Sequence, residues 1–264
     1  MATAAEKKVT PPPENSSIPT ATVEDEPSPA IDKTLKWVWF AGHAITIVGT
    51  LLYLLSVVLF RSNRLFYVIA YLGIITSYAV IVYRAFGLPK EHKPYLSRLL
   101  LDENAIYMFL AMYWIITKPI AITLAPYAIY SAFHIAEYAR VHLLHHKPET
   151  QRMLKDQNEK YYSRAMLLAA EVEIYGVMAR LILGAITFQS SAFSVLLFAH
   201  FLRLRYHMSE QTRNVFASIS DRLDKLILPP QANKKIPPAV QKAYNKMKVL
   251  LTRYGGSPIR RKTM

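Results

Sequence analysis

Apolar residues in this chain gather into long uncharged runs separated by short polar stretches, and the lengths of those runs predict the elements. The clearest is Trp37 to Phe60, 24 residues without a charged side chain. At about 1.5 Å per residue, a helix of that length exceeds the hydrocarbon thickness of a bilayer, about 30 Å. Trp37 and Trp39 open it with amphipathic rings suited to a membrane interface. Arg61-Ser62-Asn63-Arg64 leaves only a short link before Leu65 to Tyr83, 19 more uncharged residues, so the two spans form a tight antiparallel hairpin. Asn104 to Ala136 runs 33 residues, interrupted only by Lys118-Pro119. A proline there breaks the helix and predicts a second hairpin, Ala105 to Thr117 and Ile120 to Ala136. Its legs are short, as in a wedge reaching part-way through the bilayer. Leu181 to Leu202 is again charge-free over 22 residues. With Tyr161 to Ile186 as the entering leg and Gln189-Ser190-Ser191 as the tip, it completes a third hairpin. Residues 84–103 and 137–164 read as polar loops. The expected fold class is therefore all-α: a polytopic membrane protein of three helical hairpins over residues 37–206, with four to six crossings.

The flanks differ in kind. Residues 1–36, with Pro11-Pro12-Pro13 and the acidic Glu24-Asp25-Glu26, read as a disordered tail that buries too little apolar surface to offset ordering. It lacks the basic and short apolar regions of a cleavable signal peptide. Past Tyr206, the residues Val215, Phe216, Ile219, Leu223, Leu226 and Ile227 fall at helical spacing and predict an amphipathic helix ended by Pro229-Pro230. A second follows over residues 239–254. There Val240, Ala243, Tyr244, Met247, Leu250, Leu251 and Tyr254 line one face, while Lys242, Lys246 and Arg253 take other angles. This is the pattern of a helix lying in an anionic membrane interface. A protein partner could cover the same face; a basic rather than mixed polar side favours lipid.

Charge sharpens the topology. The 264 residues are 52% hydrophobic and carry a net charge of +14. A soluble nucleic-acid binder of that charge would not string its apolar residues into long uncharged runs, so no nucleic-acid partner is expected. The segments on the side of the N-terminus hold 28 Lys and Arg, those on the other side three (Arg61, Arg64, Lys118). By the positive-inside rule both termini face the cytosol, and the sequon at Asn15 stays unmodified. With no cysteine, disulfides, thiolate metal sites and cysteine nucleophiles are excluded.

Candidate chemistry is sparse. His142-Leu143-Leu144-His145-His146 has the spacing of a membrane di-iron box, since such imidazoles share a helix face. The other histidines are scattered singly, which favours interfacial or loop roles. His43 reads as a packed, hydrogen-bonded neutral ring rather than a pH sensor. Glu171, Glu173 and Arg180 lie in the third hairpin. Glu173 and Arg180, seven residues apart, share an α-helical face and are expected to neutralise each other as a structural pair. The competing class is a membrane-embedded metal-dependent enzyme or transporter using the histidine box and these charges. No phosphate loop, nucleophile elbow or zinc-protease motif appears, so no cofactor and no catalytic residue are expected.

The chain resembles a known family, the tetra-spanning pore-membrane proteins of fungi and their animal relative, transmembrane protein 33. The resemblance rests on Leu99-Leu100-Leu101-Asp102-Glu103, on the Glu173-Ile174 region, and above all on Phe201-Leu202-Arg203-Leu204-Arg205-Tyr206 with the amphipathic segment that follows. It covers roughly residues 35 to 254 in architecture and order. It implies residence in the endoplasmic reticulum and nuclear envelope, and a non-enzymatic role in tubule shaping or in nuclear-pore assembly and distribution. Implied partners are reticulon-type proteins and nucleoporins, beside a bilayer containing anionic lipids. The basic Arg260-Arg261-Lys262 could attract lipid or engage a nuclear transport receptor. The expected mechanism is physical: an interfacial helix inserted into one leaflet favours curved membrane where lipid packing is open.

Overall fold

The computed structural model describes residues 29–88, 93–144, 146–229 and 237–256, and every regular element among them is helical. Helix α1 (Pro29–Val58) and α2 (Arg64–Phe86) form the first hairpin and pack along their whole length. Among the described residues these two are long and apolar enough to cross a membrane. Glycines set their approach. A Cβ on Gly73 would lie 2.6 Å from the Gly42 carbonyl, and one on Gly49 would lie 2.8 Å from the Ala70 nitrogen. The backbones can therefore meet only where the side chain is a hydrogen. Asn63 turns the corner, its side chain accepting from the Leu65 amide at 2.9 Å as the cap of α2. Helix α1 starts at Pro29, earlier than the expected edge of a disordered tail at residue 36. Asp32 explains the extension, since it pairs with Lys36 one turn on and with Arg84 on α2. The rest of that tail lies outside the described residues.

A short helix α3 (Lys93–Leu99) leads to α4 (Glu103–Ile116). Asp102 caps α4 by accepting from the Ala105 amide at 2.9 Å. After the Lys118-Pro119 corner, one 3₁₀ turn (Ala121–Thr123) opens α5 (Leu124–Tyr138), so the second hairpin forms where the proline predicted it. The expected polar loop 137–164 is mostly helix. A π-helical turn (Ala139–Leu143) ends α5, and Pro148 at the first position starts α6 (Pro148–Glu171). α6 runs through a second π-helical stretch (Val172–Met178) into α7 (Ala179–Ile186). The chain reverses at Thr187–Ser191 and returns as α8 (Ala192–Met208), so the tip falls at the expected Gln189-Ser190-Ser191.

The core lies among α2, α4, α5 and α8 and is unusually rich in tyrosine. Tyr67, Tyr71, Tyr127 and Trp114 are fully buried. Rings of Tyr67, Tyr71 and Tyr127 meet edge to face, a geometry that aligns ring edges with π faces. Their hydroxyls stay satisfied: Tyr71 donates to Thr123 Oγ1 at 2.7 Å and Tyr127 to the Tyr107 carbonyl at 3.0 Å. The outward side of the first hairpin exposes Leu51, Leu55, Val58 and Leu59, the surface expected to meet lipid acyl chains.

The hairpin tips lie level at one end of the bundle. Arg64 donates to the Ile115 carbonyl at 3.2 Å, and Tyr113 meets Ser194 at 2.6 Å. The described parts of the basic segments lie at the other end.

Candidate functional site

At that other end the helices stop at different heights. α2 continues from Tyr78 to Phe86 and α5 from Tyr130 to Tyr138, whereas α4 begins only at Glu103 and α8 ends at Met208. The shortfall leaves an open cleft of about 900 Å³, floored by buried polar groups.

The cleft's lining residues Glu103, Tyr107, Tyr130 and Arg205 join the buried Glu173 in a charge network. Glu173 in the π-helical stretch is 1% exposed, and Arg205 on α8 is 5% exposed. Tyr107 donates its hydroxyl to Glu173 Oε1 at 2.5 Å, and Arg205 Nε donates to Glu173 Oε2 at 3.4 Å. Arg205 Nη1 pairs with Glu103, its Nη2 donates to the Tyr130 hydroxyl at 2.9 Å, and its guanidinium lies 5.3 Å from the Tyr107 ring centre. One guanidinium thus ties α4, α5, α8 and the π-helical stretch, which come from the second and third hairpins. Its planar fork suits that task, since each donor takes a different acceptor.

This corrects the expected pairing of Glu173 with Arg180. Arg180 instead donates to Gln189 Oε1 at 3.2 Å, beside the hairpin tip. The physical reason is local: the stretch from Val172 to Met178 winds as a wider π helix, so residues seven apart no longer share a face. The two neighbouring arginines of α8 also part company. Arg203 keeps its intermediate exposure, but Arg205 turns inward. The signal available in the sequence was the pair Glu103 and Arg205 inside the two motifs that carry the family resemblance.

His43 is 1% exposed, its Nδ1 is 3.0 Å from Ser131 Oγ, and its ring lies 4.7 Å from that of His134. That is the packed, hydrogen-bonded setting expected for it. In the histidine box, the ring of His142 lies 4.5 Å from that of Tyr138; His145 is outside the described residues.

Beyond α8, Ser209 caps α9 (Glu210–Ile227) by accepting from the Thr212 amide at 3.2 Å. Its apolar side docks inward. Val215 is buried, and Phe216 and Ile219 pack against the core, so part of this amphipathic face meets protein rather than lipid. The final helix α10 (Pro238–Gly256) matches the expected segment 239–254. It is held by one edge. Tyr244 is buried and donates to Asp224 Oδ1 at 2.7 Å, while Lys248 donates to Asp224 Oδ2 at 2.5 Å. Those hydrogen bonds, and the charge of Lys248, hold the Asp224 carboxyl below its usual range. Other members of the predicted stripe stay uncovered: Val240, Met247 and Leu250 are 46%, 50% and 65% exposed. Lys242, Lys246 and Arg253 are exposed as well; the side chain of Leu251 lies outside the described residues.

Two helices long and apolar enough to cross a membrane, two further hairpins tied by a buried guanidinium, and a basic amphipathic helix on the polar end define a polytopic helical membrane protein. Comparison makes this specific: residues 22–257 match the family of Transmembrane protein 33/Nucleoporin POM33, and the chain belongs to it. It is similar to "Tetra-spanning protein 1" of Schizosaccharomyces pombe, 30% identical over 246 residues that cover 86% of each chain. "Pore membrane protein of 33 kDa" of Saccharomyces cerevisiae is 28% identical over 248 residues, 85% of each chain. "Nucleoporin POM33" of Chaetomium thermophilum is 30% identical over 258 residues, 85% of this chain and 88% of its own. No solved structure matches.

Proposed function

We propose that this protein is a non-enzymatic component of the nuclear envelope and endoplasmic reticulum that stabilises curved membrane through α10 and thereby supports nuclear-pore assembly and tubule organisation. The relatives are named for spanning a membrane, for the pore membrane and as a nucleoporin, which supports the membrane station and an association with nucleoporins. Both termini face the cytosol in this reading, supported by the 28 to 3 split of basic residues. Reticulon-type proteins and a transport receptor at Arg260-Arg261-Lys262 are further proposed partners.

The observation that carries the reading is the half-docked α10. Tyr244 anchors one edge to α9 while Val240, Met247 and Leu250 stay open beside a basic side. Each apolar side chain inserted contributes on the order of 1 kcal/mol after interfacial losses, and each nearby cation about 1 kcal/mol at an anionic leaflet. The test is flotation of residues 237–256 as a peptide with small and large anionic vesicles, against the variant Met247→Asp with Leu250→Asp. Loss of binding in the variant, with wild-type preference for small vesicles, supports insertion. Equal binding by both peptides removes the curvature mechanism and leaves charge attraction alone.

A further inference from the structure

The cleft above Arg205 is walled by aromatic rings, among them Tyr78, Tyr107, Tyr130, Phe133 and Tyr162, with Glu103, Glu137 and Glu210 along its lining. Arg205 is the one Lys or Arg among its lining residues, and two carboxylates, Glu103 and Glu173, share that single cation. Glu137 is engaged by Arg140 at 2.5 Å, whereas Glu210 makes no ion pair among the described residues. The cleft is therefore locally anionic on a chain whose net charge is +14. Phe133 and Tyr162 meet edge to face, their ring centres 5.6 Å apart, and Tyr162 is 52% exposed. Aromatic faces combined with carboxylates and room for a bulky group are the chemistry that recognises an organic ammonium ion. A bare metal ion would require converging carboxylates or imidazoles, and no such group occurs among the described residues.

Position narrows the source. From the tip to Glu103, α4 has 14 residues, about 21 Å of helix against a hydrocarbon thickness of about 30 Å. The cleft floor thus sits below headgroup level when the tips reach the opposite interface. Asn104 and Gln211 add neutral donors in the same lining, suited to the phosphate that accompanies such a cation in a phospholipid. We propose that this cleft binds an organic ammonium group of the choline or ethanolamine kind, presented by a zwitterionic phospholipid of the leaflet into which it opens.

The test uses the full-length protein in maltoside micelles, which carry no ammonium. Its thermal unfolding is followed while short-chain phosphatidylcholine is added below its micellar concentration, with the uncharged diacylglycerol of the same chains as the control, since an anionic lipid would bind the basic side of α10. The choline lipid is expected to raise the melting temperature, and the glycerol lipid to leave it unchanged. Soluble phosphocholine distinguishes the source: a shift equal to that of the lipid supports ammonium recognition from solution, and a smaller one supports the lipid. In Glu210→Gln with Tyr162→Leu, the choline lipid should bind about tenfold more weakly, matching the loss of one cation–π face and one charge. Both side chains are exposed, so melting without lipid should not move; if it does, Glu210→Gln alone carries the comparison. Equal shifts by both lipids, or an unchanged response in the variants, overturn the proposal. So does tighter choline binding by a chain ending at Gly256, which would assign the cleft to the protein's own basic end.

Discussion

Removing Arg205 should unlock the second and third hairpins, and the size of the effect follows from what each partner can do afterwards. In Arg205→Met, Glu103 can turn to solvent, since its side chain is 41% exposed, but Glu173 is 1% exposed and has nowhere to go. Breaking a buried pair from one side costs about 3–5 kcal/mol, because an uncompensated charge remains. Glu173→Gln is milder. Arg205 keeps Glu103 and Tyr130, and the amide oxygen can still accept from Tyr107, so about 1–3 kcal/mol is expected. Combining Glu173→Gln with Arg205→Met should cost less than the sum, since the stranded charge is gone, with a coupling of at least about 1 kcal/mol. Arg180→Gln, which gives up only the contact with Gln189 at the tip, should cost under about 0.5 kcal/mol and show no coupling to Glu173. The assay is reversible unfolding of purified protein in mixed micelles, with all four combinations of each pair. Strict additivity between Glu173 and Arg205, or coupling of Glu173 to Arg180, would refute the assignment of Arg205 as the neutralising partner.

Three further outcomes follow from the same packing. Gly73→Ala places a methyl group against the Gly42 carbonyl and the Thr46 amide, so the first hairpin should lose about 1–3 kcal/mol in the same unfolding assay; no loss would mean that α1 and α2 do not approach this closely. The α10 clamp rests on Asp224, whose folded carboxyl titrates below its unfolded value. Its contribution is therefore complete above the ordinary aspartate range, near about 3.9, and is lost as pH falls through the lower folded value. Hydrogen exchange over residues 238–256 should stay constant from neutral pH down to that range and speed up below it, after correction for intrinsic rates; loss of protection near neutral pH would contradict the clamp. Phe60 and Phe188 hold left-handed backbones, φ 55° and 58°, at two hairpin tips while 97% and 95% exposed. Replacing either by glycine relieves about 1 kcal/mol of backbone strain and removes little packing, so melting in detergent should rise; a fall would show that the ring is held by a neighbour.

The hairpins were legible because uncharged length and a single proline are strong local signals: Lys118-Pro119 and Gln189-Ser190-Ser191 fall where the chain turns. The α10 boundaries were legible from one stripe at helical spacing. The Glu173 partner was not. Face-sharing arithmetic assumes 3.6 residues per turn, and nothing in Val172–Met178 announces a wider winding. Nor does composition tell Arg203 from Arg205, two residues apart at a membrane edge, although one stays half-exposed and the other is buried. Position decides between them, because Arg205 lies on the α8 face turned toward Glu103 and Tyr130. The helical state of residues 148–164 was missed for a different reason: a helix polar on most sides lacks the apolar period that marks the others.

The geometry also links the buried cluster to the proposed action on membranes. Level tips and unequal far ends give the bundle a full-depth side, α1 with α2, and a shallow side built around α4 and α8. A bilayer meeting both must thin or tilt on the shallow side, at a fraction of a kcal/mol per Å of mismatch. That side carries α9 and α10, so the exposed stripe of Val240, Met247 and Leu250 sits beside the shallow hairpins at the polar end of the bundle. Thinned, loosely packed lipid is the environment an amphipathic helix prefers. Curvature preference in the whole protein should therefore depend on Arg205 as well as on α10: Arg205→Met, by loosening the shallow side, should weaken enrichment on small vesicles after reconstitution while leaving binding of the isolated α10 peptide untouched. Unchanged enrichment in Arg205→Met would separate the two devices and leave α10 as the sole sensor.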